Sequence, residues 1–296
     1  MKIKLILILC LCSYNLFSQG NYSGLKFLTN ADSRINSLGE TKAINSIGAS
    51  ALLGNPSAMN QSSKSEIQLG VIKSIQDITS QSFLIKLQSS QKFSFGFSLV
   101  NYKISDIEIR EVPGEPLGTF SSQYISAGIA GAYTLLANFD IGLNAKIIYE
   151  KMYVEDATGF GIDIGAYYKL RNDIHLACTF NSIGQMSLLY QERTELPLSA
   201  NLGVAYLFDL YELLYNKVSC EFTNYIKDKT NHFSVSVEST YSDLISLRLG
   251  YITGFESKSL SAGMGIKYSD FILNYGYVPY SHNLGTHHSL SINYSF

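Results

Sequence analysis

Tryptophan is absent from this sequence, proline occurs only 5 times, and charged residues make up 16% of it. Soluble proteins carry about 25% charge, so the low value argues against a chain bathed on all sides by water. Few prolines leave long stretches in which strands can run, because proline removes a donor from the ladder. The formal net charge is -2. With no basic excess to neutralise phosphates, it gives no reason to expect nucleic acid as a partner. Beyond residue 20 no run reaches about 18 apolar residues, which excludes a membrane-spanning helix. Of the 4 cysteines, Cys10 and Cys12 fall in the N-terminal leader. Cys178 and Cys220 sit on the apolar phase of alternating runs and read as small apolar residues, with a disulfide as the alternative.

What the sequence does contain is tyrosine (21), phenylalanine (16) and glycine (23) in quantity. That mixture suits an all-β protein in an unusual solvent. The first residues read as a secretory signal over 1–19: "MKIK" supplies charge, "LILILCLC" is a short apolar core, and Ser18 is a small residue before the cut. The core is too short for an anchor. Leu9 and Leu11 precede the two cysteines where a lipoprotein needs small residues.

Period-two alternation dominates from residue 66 onward. "FDIGLNAKIIYE" sets Phe139, Ile141, Leu143, Ala145, Ile147 and Tyr149 against Asp140, Gly142, Asn144, Lys146, Ile148 and Glu150. Fourteen such runs are expected, near 66–76, 80–88, 92–104, 121–136, 138–152, 158–170, 173–181, 197–207, 213–223, 232–240, 243–252, 258–268, 270–278 and 286–296. Most approach the ~9–11 residues with which a tilted strand crosses a membrane. Connections at 89–91, 137, 171–172, 241–242 and 269 are tight. Those at 105–120, 182–196, 224–231 and 279–285 are longer, and 208–212 is moderate. Short turns on one side and long loops on the other predict an antiparallel transmembrane β-barrel of about 14 strands in the outer membrane, with lipid as its surroundings and both chain ends on the periplasmic side.

The two phases differ in chemistry. The apolar phase carries almost no charge, and Tyr149, Tyr168, Tyr206, Tyr251, Tyr268 and Tyr294 stand near strand ends, where an apolar ring and a wet hydroxyl suit a membrane interface. The other phase carries Lys86, Lys146, Asp163, Lys169, Lys217, Glu221, Glu238, Arg248 and Lys267. Lys146 and Asp163 lie in the same phase of neighbouring strands and are expected to pair, as part of a structural network of lumenal charge that includes Arg248.

Residues 20–65 lack sustained alternation but keep Phe27, Leu28, Ile35, Leu38, Ile44, Ile47, Leu52 and Leu53, too many apolar groups for a free linker. "NADSRINSL" predicts a short helix capped by Asn30 or Asp32, and Asn55-Pro56 marks a turn. The expectation is an N-terminal plug over 20–65 inside a barrel over 66–296, with Arg34 and the Asn55-Pro56 turn locking it to the wall. A 14-stranded barrel is wide enough to need one.

The stretch "LKFLTNADSRINSLGETKAI…GNPSAMN" resembles the opening of the PorV/PorQ family of outer-membrane proteins from Bacteroidota, with its Phe-Leu pair, Arg34, the Leu-Gly step at Gly39, and Asn55-Pro56. "GTF" (118–120), "DIG" (163–165), "ELP" (195–197) and "LGTHH" (284–288) continue the resemblance over the mature chain. It departs at Ser57, at Glu40 where a second glycine is common, at "NSIG" (181–184), and at His288. The resemblance implies a FadL-like fourteen-stranded barrel with a plug. It further implies an accessory role in type IX protein secretion or surface attachment, with secretion components or secreted cargo as partners. A FadL-like channel for hydrophobic small molecules is the alternative.

No catalytic constellation stands out. G-x-S-x-G and H-E-x-x-H are missing, and "GMGIKY" (263–268) lacks the third glycine of a dinucleotide loop. No enzyme, cofactor or metal is expected. His282, His287 and His288 cluster near the last loop, but adjacent strand residues point to opposite faces. The long loops 105–120, with Glu108, Glu111 and Glu115, and 182–196 are the expected partner surfaces. The last strand places Leu290, Ile292, Tyr294 and Phe296 on the lipid phase. The terminal aromatic, with Tyr294, resembles the signal read by the barrel assembly machinery.

Overall fold

The computed structural model describes residues 25, 31–110, 113–211 and 213–296. The signal segment 1–19, with Cys10 and Cys12, and Phe27, Leu28, Asn30 and Glu111 lie outside the described residues. Fourteen strands form one closed barrel: β1 (Glu66–Lys73), β2 (Ile78–Ser90), β3 (Phe93–Ile109), β4 (Gly118–Leu136), β5 (Phe139–Met152), β6 (Glu155–Lys169), β7 (Ile174–Met186), β10 (Ser199–Tyr211), β11 (Leu214–Tyr225), β12 (Thr230–Tyr241), β13 (Ile245–Ile252), β14 (Leu260–Tyr268), β15 (Phe271–Pro279) and β16 (Thr286–Ser295). Two short strands, β8 (Leu188–Leu189) and β9 (Glu192–Arg193), make a separate hairpin between β7 and β10.

Every barrel strand runs antiparallel to its neighbours, and β16 closes on β1 with Ile292 opposite Leu69 and Leu290 opposite Val71. Reciprocal backbone hydrogen bonds between Ser65 and Phe296, 3.1 and 2.9 Å, extend that seam. Closure leaves no unpaired edge, which a bilayer would penalise heavily. The seam defines a turn end of the barrel, where connections such as 91–92, 137–138 and 269–270 are tight. The opposite, loop end carries 110–117, 187–198, 253–259 and 280–285.

Alternation decides which side chains meet lipid. In β1, Leu69 and Val71 are exposed while Gln68, Gly70 and Ile72 are buried in the lumen. In β16, Leu290, Ile292 and Tyr294 face out, and Ser289 and Ser291 face in. Phe296 follows at 54% exposure. Apolar outside and polar inside reverses a soluble sandwich and fits a hydrocarbon solvent.

The structure corrects some connections. Half of the stretch 105–120 is strand, because a register shift between Ile104 and Ile107, with Asp106 at φ 57°, absorbs the break in alternation and carries β3 on to Ile109. Such a bulge adds a residue on one strand without ending the pairing. Likewise β7 continues to Met186, and β10 runs on to Tyr211, with β11 beginning at Leu214. Cys178 and Cys220 lie on β7 and β11, with β10 between them, and form no disulfide with each other.

Candidate functional site

Residues 31–62 pass through the lumen as four short turns of helix. Helix α1 (Ser33–Ser37) is capped by Asp32, whose carboxylate accepts from the Ile35 backbone N–H at 2.8 Å and from Gln68 Nε2 on the wall at 2.6 Å. Helix α2 (Lys42–Asn45) follows, and then 3-10 turns at Gly48–Leu53 and Pro56–Gln61. Each piece is too short to stand alone in water. Each is instead completed by the wall.

The Asn55-Pro56 turn shows how. Asn55 caps the last 3-10 turn, accepting from Ser57 N at 3.2 Å, with Pro56 at its first position. Its amide donates to Ala43 O at 2.8 Å and reaches Ala166 O of β6 at 3.4 Å. Under it lie Gly142 and Gly165, directly opposite each other on β5 and β6. A Cβ on Gly142 would stand 2.3 Å from Ser57 N, and one on Gly165 would stand 2.0 Å from Asn55 Oδ1. Both glycines are required by this close approach. At the other end of the segment, Gly39 (φ 61°) and Glu40 (φ 61°) turn the chain between α1 and α2 in the left-handed region. Glycine adopts it freely, whereas Glu40 bears a strain of about 1 kcal/mol. An ion pair with Lys258 holds the Glu40 side chain.

Buried charge is concentrated where segment and wall meet. Glu238 receives Arg34 at 2.6 and 3.1 Å and Arg248, its cross-strand neighbour, at 2.6 Å. Arg34 also donates to Asn45 O, and Arg248 to Asn274 Oδ1 at 2.9 Å. Lys146 and Asp163 form an ion pair at 2.8 Å, and Asp163 also accepts from Asn144 Nδ2 and Ser182 N at 3.0 and 2.7 Å. Glu221 of β11 accepts from Ala43 N and Ile44 N, 2.9 and 3.3 Å, at the positive end of α2. Burial pulls the Lys42 ammonium in that first turn below its ordinary value, with Glu221 and Glu40 opposing. Glu66 accepts from Ala49 N at 2.8 Å, and Lys86 donates to Ser62 O and Lys64 O at 2.7 and 2.6 Å. By contrast the exposed Lys64–Asp270 pair, 2.6 Å, sits at the turn end, where the Lys64 hydrogen bond and charge hold the Asp270 carboxyl below its usual range.

Thus Arg34 and Arg248 meet on one carboxylate, and Lys146 meets Asp163. Gly39 and Asn55-Pro56 are the segment's turning points. Sequence reasoning counted Glu238, Glu221 and Lys86 as inward charges without their partners, and it passed over Glu66. His287 and His288 diverge as strand geometry requires: His287 lies 3.1 Å from both Asn36 and Ser74, and His288 lies 2.7 Å from the Tyr275 hydroxyl. Glu108 pairs with Arg110 at 2.7 Å on the exposed extension of β3.

The loop end on the β1–β7 side is different. Ile72, Ile78, Val100, Tyr102, Tyr124, Ile148, Ala157, Met186 and Leu196 form a buried cluster there, joined by Leu25 and Ala31. Two cavities near this end are small. One of about 30 Å³ is bounded by Leu52, Val100, Ile148 and Leu196, and another of about 30 Å³ by Ile72, Tyr102, Lys258 and His287. Each holds a water or two, whereas a benzene-sized guest needs roughly 150 Å³.

No family model matches the chain, and no curated protein is significantly similar to it. Solved structures do share its fold. The toluene transporter TodX of Pseudomonas putida aligns with a TM-score of 0.66 at 13% identity, over 95% of this chain and 99% of that one. The toluene transporter TbuX of Ralstonia pickettii aligns at 0.65 and 11%, over 91% and 100%. A FadL homologue of Pseudomonas aeruginosa aligns at 0.58 and 12%, over 90% and 98%. The chain is an integral outer-membrane barrel with the fourteen-stranded architecture of these proteins.

Proposed function

We propose that this barrel is a conduit for small hydrophobic molecules across the outer membrane, with residues 20–65 acting as its plug. The supporting observation is the buried apolar cluster at the loop end, on the lumenal face of strands whose other lumenal positions are mostly polar. An aqueous pore has no use for such a lining, because water gains nothing from apolar walls. A hydrophobic solute does. Two of the proteins sharing the fold are named toluene transporters. On this reading the lumen is closed, since the two cavities described are too small for such a solute, and passage requires residues 31–62 or the loop-end cluster to shift. Uptake of toluene and of a long-chain fatty acid by cells lacking the gene tests the reading. Reduced uptake of at least one supports it, and normal uptake of both refutes it.

A second reading has its own support. The segment carrying Arg34, Gly39 and Asn55-Pro56 resembles the opening of the PorV/PorQ family, and its anchoring to the wall suits a closed platform for type IX secretion or surface attachment. Its partners would be secretion components or cargo bearing a C-terminal signal domain. Unchanged release and attachment of such cargo in a deletion strain would count against it.

A further inference from the structure

One row of lumenal side chains crosses the loop end at a single height. The register sets Ser80 opposite Tyr102, Tyr102 opposite Tyr124, Tyr124 opposite Glu150, and Glu150 opposite Ala157. All five are buried. The Tyr102 and Tyr124 ring centroids lie 6.0 Å apart, inclined by 57°. Glu150 is fully buried, and neither of its carboxylate oxygens has a hydrogen-bond partner among the described residues. The Thr194 hydroxyl is the polar group beside it. At the far end of the row, Ser80 Oγ is also buried and without a partner among the described residues.

Glu150 is the exception in this lumen. The other buried carboxylates, Asp32, Asp140, Asp163 and Glu221, each accept at least one donor. A buried carboxylate facing apolar neighbours destabilises the protein that carries it, and replacing it by a hydrophobic residue is expected to stabilise. A structural role therefore does not account for it. What the row offers is a carboxylate directly across from one aromatic ring, with a second ring one strand further on. That combination attracts an organic cation: the carboxylate supplies the counter-charge and the rings their negative faces. Ala157 adds little bulk opposite it, and Ile148, two residues before it on the same face of β5, belongs with Met186 and Leu196 to the apolar cluster at this end.

We infer that Tyr102, Tyr124 and Glu150 form a recognition site for an organic ammonium ion, a small apolar molecule carrying one protonated amine. A carboxylate ligand is repelled there, and a pure hydrocarbon leaves Glu150 unpaired. Thr194 and Leu196, from the connection between β7 and β10, belong to the same neighbourhood, so lifting that connection opens the row. The site deepens the conduit reading and rests on it for the passage of the ligand, although binding is measurable without transport.

The test uses the full-length protein purified from outer membrane, titrated calorimetrically at neutral pH with 3-phenylpropylammonium, 3-phenylpropanol and 3-phenylpropionate. The ammonium ion is expected to bind about tenfold tighter than the alcohol, and the carboxylate to show no binding. Glu150→Gln should cost the ammonium about tenfold and leave the alcohol unchanged, since the charge alone is removed. Tyr124→Leu should weaken the ammonium several-fold. Glu150→Leu should abolish its preference while raising the melting temperature of the empty protein. Absence of ammonium binding, equal affinity for ammonium and alcohol, or unchanged binding in Glu150→Gln overturns the site. Intact ammonium binding with normal cellular uptake of every hydrophobic solute in the deletion strain overturns the conduit reading and leaves the site standing. Intact hydrocarbon uptake without ammonium preference overturns the site alone.

Discussion

Residues 31–62 meet a wall whose buried carboxylates each accept from the segment or from a neighbouring strand, while the loop end above β1–β7 is apolar and keeps a carboxylate without a hydrogen-bond partner among the described residues. In the first region Glu238 holds two arginines and Asp163 holds a lysine, a serine N–H and an asparagine amide. In the second, Glu150 and Ser80 have no hydrogen-bond partner among the described residues. The difference separates closure from recognition. Fully satisfied polar contacts fix one arrangement, whereas an unsatisfied group among apolar side chains marks a place where the protein alone is incomplete.

Breaking the matched region should have the largest effect. Glu238→Ala leaves Arg34 and Arg248 facing each other in the lumen and should lower unfolding stability by about 3 kcal/mol, measured as the denaturant midpoint of the refolded barrel. A midpoint like wild type would mean that water repairs the gap. Gly142→Val drives a side chain into the Asn55-Pro56 turn. It should cost about 1–3 kcal/mol and raise ion conductance in planar bilayers as the turn is displaced. Unchanged conductance would show that this turn does not seal the lumen. Asn55→Ala removes a cap and the bond to Ala43, a loss of about 1 kcal/mol in the same unfolding assay. Lys64→Ala, at the exposed rim, should leave the midpoint unchanged. The Lys64–Asp270 pair stabilises above the ordinary aspartate range, and what little it adds disappears as pH falls through the depressed Asp270 value. Outside the lumen altogether, Phe296→Ala keeps the backbone pairing with Ser65 and should spare the midpoint while reducing membrane levels of the protein several-fold. Normal levels would refute its role as an assembly signal.

The strands were legible because period-two alternation, sustained over run after run, fits the pleat of a strand and breaks the stripe of a helix. The phase of Lys146, Asp163 and Arg248 followed from it. The bulge at Asp106 was not legible, since a single extra residue looks like the start of a loop. Nor was the meeting of Arg34 with Glu238, because alternation fixes which face a residue occupies but not which distant segment lies against it. Glu150 was placed on the correct face and otherwise passed unnoticed. Its meaning depends on its neighbours across three strands, which only the register reveals.

Gly142 and Gly165 tie two distant stretches of sequence to one inheritance. A wall hollowed to the backbone of a turn can accept a side chain only when the turn itself has changed. Among descendants of a common ancestor, the two glycines and the Asn-Pro dipeptide should therefore be kept or lost together. Their joint presence would sort barrels that retain this lumenal segment from those that have replaced it, even where overall identity has decayed too far to align.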